Sequence, residues 1–156
     1  MSRQGAPRGP VRFRIPDGYS TEEVGHAQEY VEAAERARAD RTLSTAGRQT
    51  VKGELKAAKD RAARAERIRA EAAGEPYGPL VAAHLPDTTW TGTSDPPEGW
   101  GRHTHRVNSL LGSLSAKYPL GYIPENFALE TGEDDDGRAD RLESAPGRDD
   151  PREEPA

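Results

Sequence analysis

After Gly74 a proline or glycine interrupts the chain every few residues, and this punctuation limits the fold more than any other feature. Prolines stand at 76, 79, 86, 96, 97, 119 and 124, and glycines at 78, 92, 99, 101, 112 and 121. Proline lacks the N–H that a helix interior or a central strand needs, and glycine loses the most entropy when ordered. Long helices and strands are therefore excluded from residues 75–129, apart from one short helix near residues 108–117. The same stretch holds both tryptophans, three of the five tyrosines and three of the four histidines. It reads as a compact loop-rich segment, and ordered irregular backbone is where binding and catalytic groups are usually mounted.

Before Gly74 the pattern is helical. Ser20-Thr21-Glu22-Glu23 has the form of a capping box, with a hydroxyl acceptor and a glutamate three residues on. Val24, Ala27, Val31 and Ala34 follow at spacings of three and four, which predicts a helix over residues 21–41. Thr42 to Gly47 breaks it with small polar residues. A second helix is predicted over residues 48–73, with Val51, Leu55, Ala58, Ala62, Ala65 and Ala72 on one side, Gly74 as its C′ residue and Pro76 as its stop. Two helices joined by a short link predict an antiparallel hairpin. The expected fold is mainly α, a helical hairpin over residues 19–74 packed against the loop-rich half over residues 75–129. Residues 1–18, rich in Arg, Pro and Gly, are expected to be a disordered basic tail, and residues 130–156 a disordered acidic one.

Composition sets outer limits. With 33% hydrophobic and 31% charged residues the chain cannot bury a 156-residue core, and a folded unit of about 110 residues is the expectation. The absence of cysteine excludes disulfides and thiolate metal sites. No apolar run approaches the roughly 18 residues of a membrane span, and the N-terminus has no apolar core of a secretory signal, so synthesis in the cytoplasm is expected. The net charge of −5 hides an uneven spread. Residues 130–156 carry eleven acidic and four basic side chains, a net of −7, leaving +2 for the rest. Residues 48–71 hold eight Lys/Arg against four Asp/Glu. A basic body suits a phosphate-bearing partner, with a solvated helix face and an acidic tail as the competing reading.

The chemistry concentrates in His84-Leu85-Pro86-Asp87. Pro86 favours an extended Leu85, and a turn through Pro86-Asp87 would bring imidazole and carboxylate to one small ligand. An imidazole titrating near neutrality can deprotonate water, and a carboxylate is a suitable ligand for Mg2+ or another divalent cation. Together they suit metal-assisted attack on a phosphodiester. The alternative is that Asp87 caps a turn and His84 is simply packed. His103 and His105, alternating on an extended segment, could share a transition metal or form an exposed pair. Trp90 and Trp100 are read as core or as base-stacking groups. Asn108 and Ser109, at the predicted start of the short helix, could meet a phosphate or act as caps. Lys52, Lys56, Lys59, Arg61, Arg64 and Arg67 could follow a nucleic-acid backbone, though from several helix faces; Lys59, Arg61 and Arg64 join Asn108 and Ser109 as the nucleic-acid-binding candidates.

Taken together, GHAQEYVEAAERARAD, TLSTAGRQTVKGELKAAKDRAARAERIRAE, HLPDTTWTG, VNSLLG and YPLGYIPENF resemble the bacterial polymorphic toxin type 15 domain, the HxxD nuclease toxins, over residues 25–127. The resemblance implies a mainly α-helical domain, metal-dependent DNA cleavage with magnesium as the expected ion, and His84 and Asp87 as the HxxD pair, catalytic together, with Asp87 the metal ligand. It also implies a cognate immunity protein as partner and export, in some members by type VI secretion, into the cytoplasm of a target cell. An RNase toxin and a non-catalytic nucleic-acid or protein binding module, a degenerate toxin remnant, stay open as alternatives.

Overall fold

Val11, Phe13 and Ile15 alternate with Arg12 and Arg14, and that period of two builds the first element. In the computed structural model, which describes residues 5–131, Arg8–Ile15 form strand β1 with every second side chain buried. Val11 and Phe13 are fully buried and Ile15 nearly so. Burying three such side chains contributes roughly 6 kcal/mol. The expectation of a disordered tail over residues 1–18 therefore fails for 8–15: the arginines that made the segment look unfoldable are the solvent face of a strand. β1 pairs in parallel with the last strand, β4 (Ile123–Thr131), in a two-stranded sheet. Residues 130–131 belong to β4, and the acidic segment beyond them lies outside the described residues.

Helix α1 (Thr21–Ala39) begins as expected. The Ser20 hydroxyl accepts from the Glu23 amide at 3.1 Å, and the Glu23 carboxylate accepts from the Ser20 amide at 3.0 Å. Its buried face is Ala27, Tyr30, Val31, Ala33, Ala34 and Ala37. The small alanines let the helix lie close on β4, on the later strand β3 (Trp100–His103) and on helix α4 (His105–Ser115). Phe13, Tyr30, Trp90 and Phe127 fill the space between: Tyr30 meets Phe13 edge-on at 5.5 Å, and Trp90 meets Phe127 edge-on at 5.4 Å.

Helix α2 (Gly53–Ala72) buries only Glu66 and Ala70 fully, and its packing partner is β2 (Val81–His84) rather than α1. The expected hairpin is not formed. Aromatic and β-branched side chains from β1 and β4 bury more area against α1 than an alanine seam on α2 could, so the sheet takes that face. β2 pairs antiparallel with β3, and a single-turn helix α3 (Thr88–Thr91) follows β2. The mainly α expectation is thus corrected: the fold is mixed α/β, 43% helical and 20% strand over the described residues, with two small sheets among them. Proline and glycine do not prevent these strands and even lie within them, Pro10 in β1, Gly101 in β3 and Pro124 in β4.

The loop between α1 and α2 is fastened to its surroundings by backbone bonds. Ser44 N–H donates to Trp90 O, Gln49 N–H to Thr89 O and Arg48 N–H to Tyr122 O, and Gly121 N–H donates to Arg48 O. Gly47 lies in this loop at φ +78°, where a Cβ would fall inside the Gly121 carbonyl group. Gly47→Ala should cost about 2 kcal/mol in denaturant unfolding, combining the left-handed backbone with displacement of a neighbouring chain. A cost under half that would show that the loop moves freely.

Candidate active site

β2 delivers His84 at its C-terminal end, and the Leu85–Pro86 peptide that follows is cis. Asp87 then occupies the N-cap position of α3, yet its side chain makes no capping bond. Its Oδ2 instead accepts a hydrogen bond from the Tyr30 hydroxyl of α1 at 3.0 Å. The carboxylate is thus withheld from the backbone role that the sequence allowed for it.

His84 and Asp87 line one pocket of about 320 Å³, with Arg48, Val51, Lys59, Thr88, Thr89, Asn108, Gly112 and Ala116. His84 is 6% exposed. Its ring packs on Trp100, its register partner in β3, at 4.5 Å between centroids. The Nε2 of His84 lies 2.9 Å from the Ser94 carbonyl oxygen. A carbonyl only accepts, so in the neutral ring Nε2 carries the hydrogen and Nδ1 the lone pair. No group among the described residues hydrogen-bonds Nδ1.

Burial pushes the His84 imidazole down to about 4, and the nearby Lys59 ammonium adds to the effect. Burial pushes the Asp87 carboxyl up to about 6, against the opposing pull of the Tyr30 donor and of Lys59. At pH 7 the pair is therefore a neutral imidazole and an ionised carboxylate, both within the field of Lys59. Arg48 forms a fixed positive wall: Nε donates to Tyr118 O at 2.6 Å and Nη1 to Thr89 Oγ1 at 2.9 Å. The pocket combines a lone pair, a carboxylate and two cations, a set suited to a phosphate ester and a hard metal ion.

Among the described residues no group of three or more His, Asp or Glu side chains is placed to hold a metal. The donors that fit a divalent cation are Asp87, the Asn108 amide and the hydroxyl of Thr88, which is buried with no hydrogen-bond partner and lines the same pocket. Such a set suits Mg2+, which commonly takes one or two carboxylates and completes its shell with water and phosphate.

The remaining candidates divide. Lys59 and Asn108 line the pocket; Arg61, Arg64 and Ser109 do not. Arg61 is exposed and paired with Glu54 at 2.8 Å, and Arg64 is exposed. Helix α4 begins at His105, three residues earlier than expected, with Thr104 as its cap. The Asn108 backbone N–H is therefore bonded to Thr104 O and is no free phosphate donor, leaving its side-chain amide to act. Ser109 is exposed, its hydroxyl 3.4 Å from His105 Nε2. His103 and His105 do not converge: His103 is buried against Glu29 at 2.8 Å and stacked on His26, while His105 is exposed. Trp90 is core, and Trp100 backs His84.

Reading the residues alone missed Tyr30, Arg48, Thr88 and Ser94. Tyr30 did carry a signal, as the one aromatic on the alanine-rich face of α1, and so did Thr88, as the neighbour of Asp87; Arg48 and Ser94 depend on loop paths that no local pattern describes. No helix among the described residues is long and apolar enough to cross a membrane. Comparison of the chain with protein-family models, with curated proteins and with solved structures finds no match.

Proposed function

We propose that the protein is a divalent-cation-dependent nuclease toxin that hydrolyses DNA phosphodiester bonds, as its resemblance to the type 15 toxin domain implies. The observation that carries this reading is the shared pocket, in which a neutral imidazole with an unengaged Nδ1 and an ionised carboxylate meet the charges of Lys59 and Arg48. Lys59 and Arg48 attract and orient a backbone phosphate. His84 Nδ1 takes the proton of the attacking water, while the Nε2 bond to Ser94 O keeps the ring in the tautomer that leaves the Nδ1 lone pair free. A bound phosphate offsets the positive charge of Lys59 and so strengthens His84 as a base when substrate is present. Asp87, with Thr88 and Asn108 of the same pocket, would hold the cation, whose chemistry would be to stabilise charge on the phosphoryl oxygens.

The test is incubation of purified protein with plasmid DNA and with total RNA, in Mg2+ and in chelator. Magnesium-dependent nicking of plasmid supports the reading. Loss of RNA alone makes the protein an RNase, and salt-sensitive binding with no cleavage of either polymer makes it a binding module.

The pH dependence is distinctive. Because His84 stays neutral down to about 4, the acid limb belongs to Asp87, whose carboxylate is protonated below about 6. At subsaturating Mg2+, where protonation of the metal-free carboxylate competes with the ion, the kcat/KM for plasmid should fall about tenfold per pH unit below 6, and more steeply below 4. A limb centred above 7 would assign the titrating group elsewhere.

A further inference from the structure

Asp87 is held from behind by three buried groups arranged end to end. The Trp90 indole N–H donates to Ser115 Oγ at 2.9 Å. Ser115 Oγ lies 3.5 Å from the Tyr30 hydroxyl, the long link of the series, and Tyr30 donates to Asp87 Oδ2 at 3.0 Å. Their side chains come from α3, α4 and α1, and none of the three residues is more than 2% exposed.

The direction of the series follows from donor chemistry. An indole N–H only donates and an ionised carboxylate only accepts, whereas each hydroxyl has a single proton. Tyr30 spends its proton on Asp87, so it accepts from Ser115, which in turn accepts from Trp90. Every bond is polarised toward the carboxylate, and each donor is strengthened by the one behind it. Nothing in the packing of α3 demands this, since the N-cap position would have offered Asp87 backbone N–H groups.

We propose that Tyr30 is a positioning residue of the pocket: it fixes Asp87 Oδ2, with Ser115 and Trp90 as its backing, and so reserves Oδ1 as the oxygen offered to a cation. As a role in catalysis this rests on the nuclease reading above. The anchoring of Asp87 stands apart from that reading and is measurable without turnover.

The experiment follows the Asp87 carboxyl carbon and the Trp90 indole N–H by NMR in the full chain as pH is varied. In the parent protein the Trp90 indole resonance should shift at the Asp87 midpoint, and in Asp87→Asn that shift should vanish. Tyr30→Phe keeps the ring that packs on Phe13 and removes the donor, so the Asp87 midpoint should rise by about one pH unit. Ser115→Ala should raise it by less. In the plasmid assay at subsaturating Mg2+ the acid limb of Tyr30→Phe should move up in the same direction. An Asp87 midpoint that Tyr30→Phe leaves in place overturns the proposal, as does an active Tyr30→Phe protein with an unmoved acid limb. Should Tyr30→Phe fail to fold, an indole resonance blind to Asp87 in the parent overturns it equally. If the midpoint shifts as expected but no polymer is cut, the nuclease reading falls and Tyr30 remains the anchor of Asp87.

Discussion

His84→Ala should lower Mg2+-dependent plasmid cleavage by about 10²–10⁴-fold, the range associated with loss of a positioned general base. The ring has two partners besides any substrate: the Ser94 carbonyl that takes its Nε2 hydrogen and the Trp100 indole packed on its face. Alanine removes all of these together and leaves the Ser94 oxygen without its donor, so some loss of stability would accompany the loss of rate. His84→Gln separates the two effects. Its amide can still donate to Ser94 O and fill most of the space, but it has no basic nitrogen. The expected outcome is a Gln variant close to the parent in thermal unfolding and as inactive as alanine. If either variant digests plasmid within about threefold of the parent rate, His84 is not the base.

Asp87→Asn should do two opposite things, lowering cleavage by at least about 10²-fold while stabilising the fold at pH 7. The carboxyl is raised from its ordinary 3.8 to about 6, so the folded protein holds the Asp87 proton more tightly than the unfolded chain does. Its contribution to stability is therefore greatest below 3.8 and is lost as pH rises through 6. At pH 7 the native state carries a poorly solvated charge that costs about 2 kcal/mol, after discounting for partial exposure. Asparagine removes the charge and keeps an oxygen for the Tyr30 hydroxyl. The variant should exceed the parent by about 2 kcal/mol at pH 7 and converge with it near pH 4. His84 has the reverse sign: its folded value is depressed, so its contribution is present above 6.5 and falls away toward 4. Between 4 and 6 the two nearly cancel in the parent, and the Asn variant exposes the histidine slope. An Asn variant that is less stable at pH 7, or as active as the parent, removes Asp87 from the proposed chemistry.

How much of this could be read from the residues differs by element. The capping box at Ser20 and Glu23 was legible because capping is local, with both partners within four residues. Helix α2 was legible in its end, since Gly74 follows Ala73 in the left-handed region, but its start was placed too early: residues 48–52 are not helical, with Gln49 tied to α3 and Arg48 to Tyr122. Strand β1 was hidden by its arginines and prolines although its alternation was in plain view. His84 and Asp87 were identifiable as a pair by residue type and a proline between them. Tyr30, Arg48 and Ser94 were not, because Tyr30 meets Asp87, Arg48 lines the pocket and Ser94 meets His84 from 57, 39 and 7 residues away from Asp87 along the chain.

Local periodicity, caps and proline placement are encoded within a turn or two of chain, and these alone determined where α1 lies, where α2 stops and which two side chains to look for in one pocket. The tertiary structure decided that β1 pairs with β4 across more than a hundred residues, that α1 faces that sheet and not α2, and that a tyrosine on α1 holds the carboxylate of Asp87. Those outcomes depend on which apolar faces bury the most area together, a competition among distant segments that no short window of sequence records.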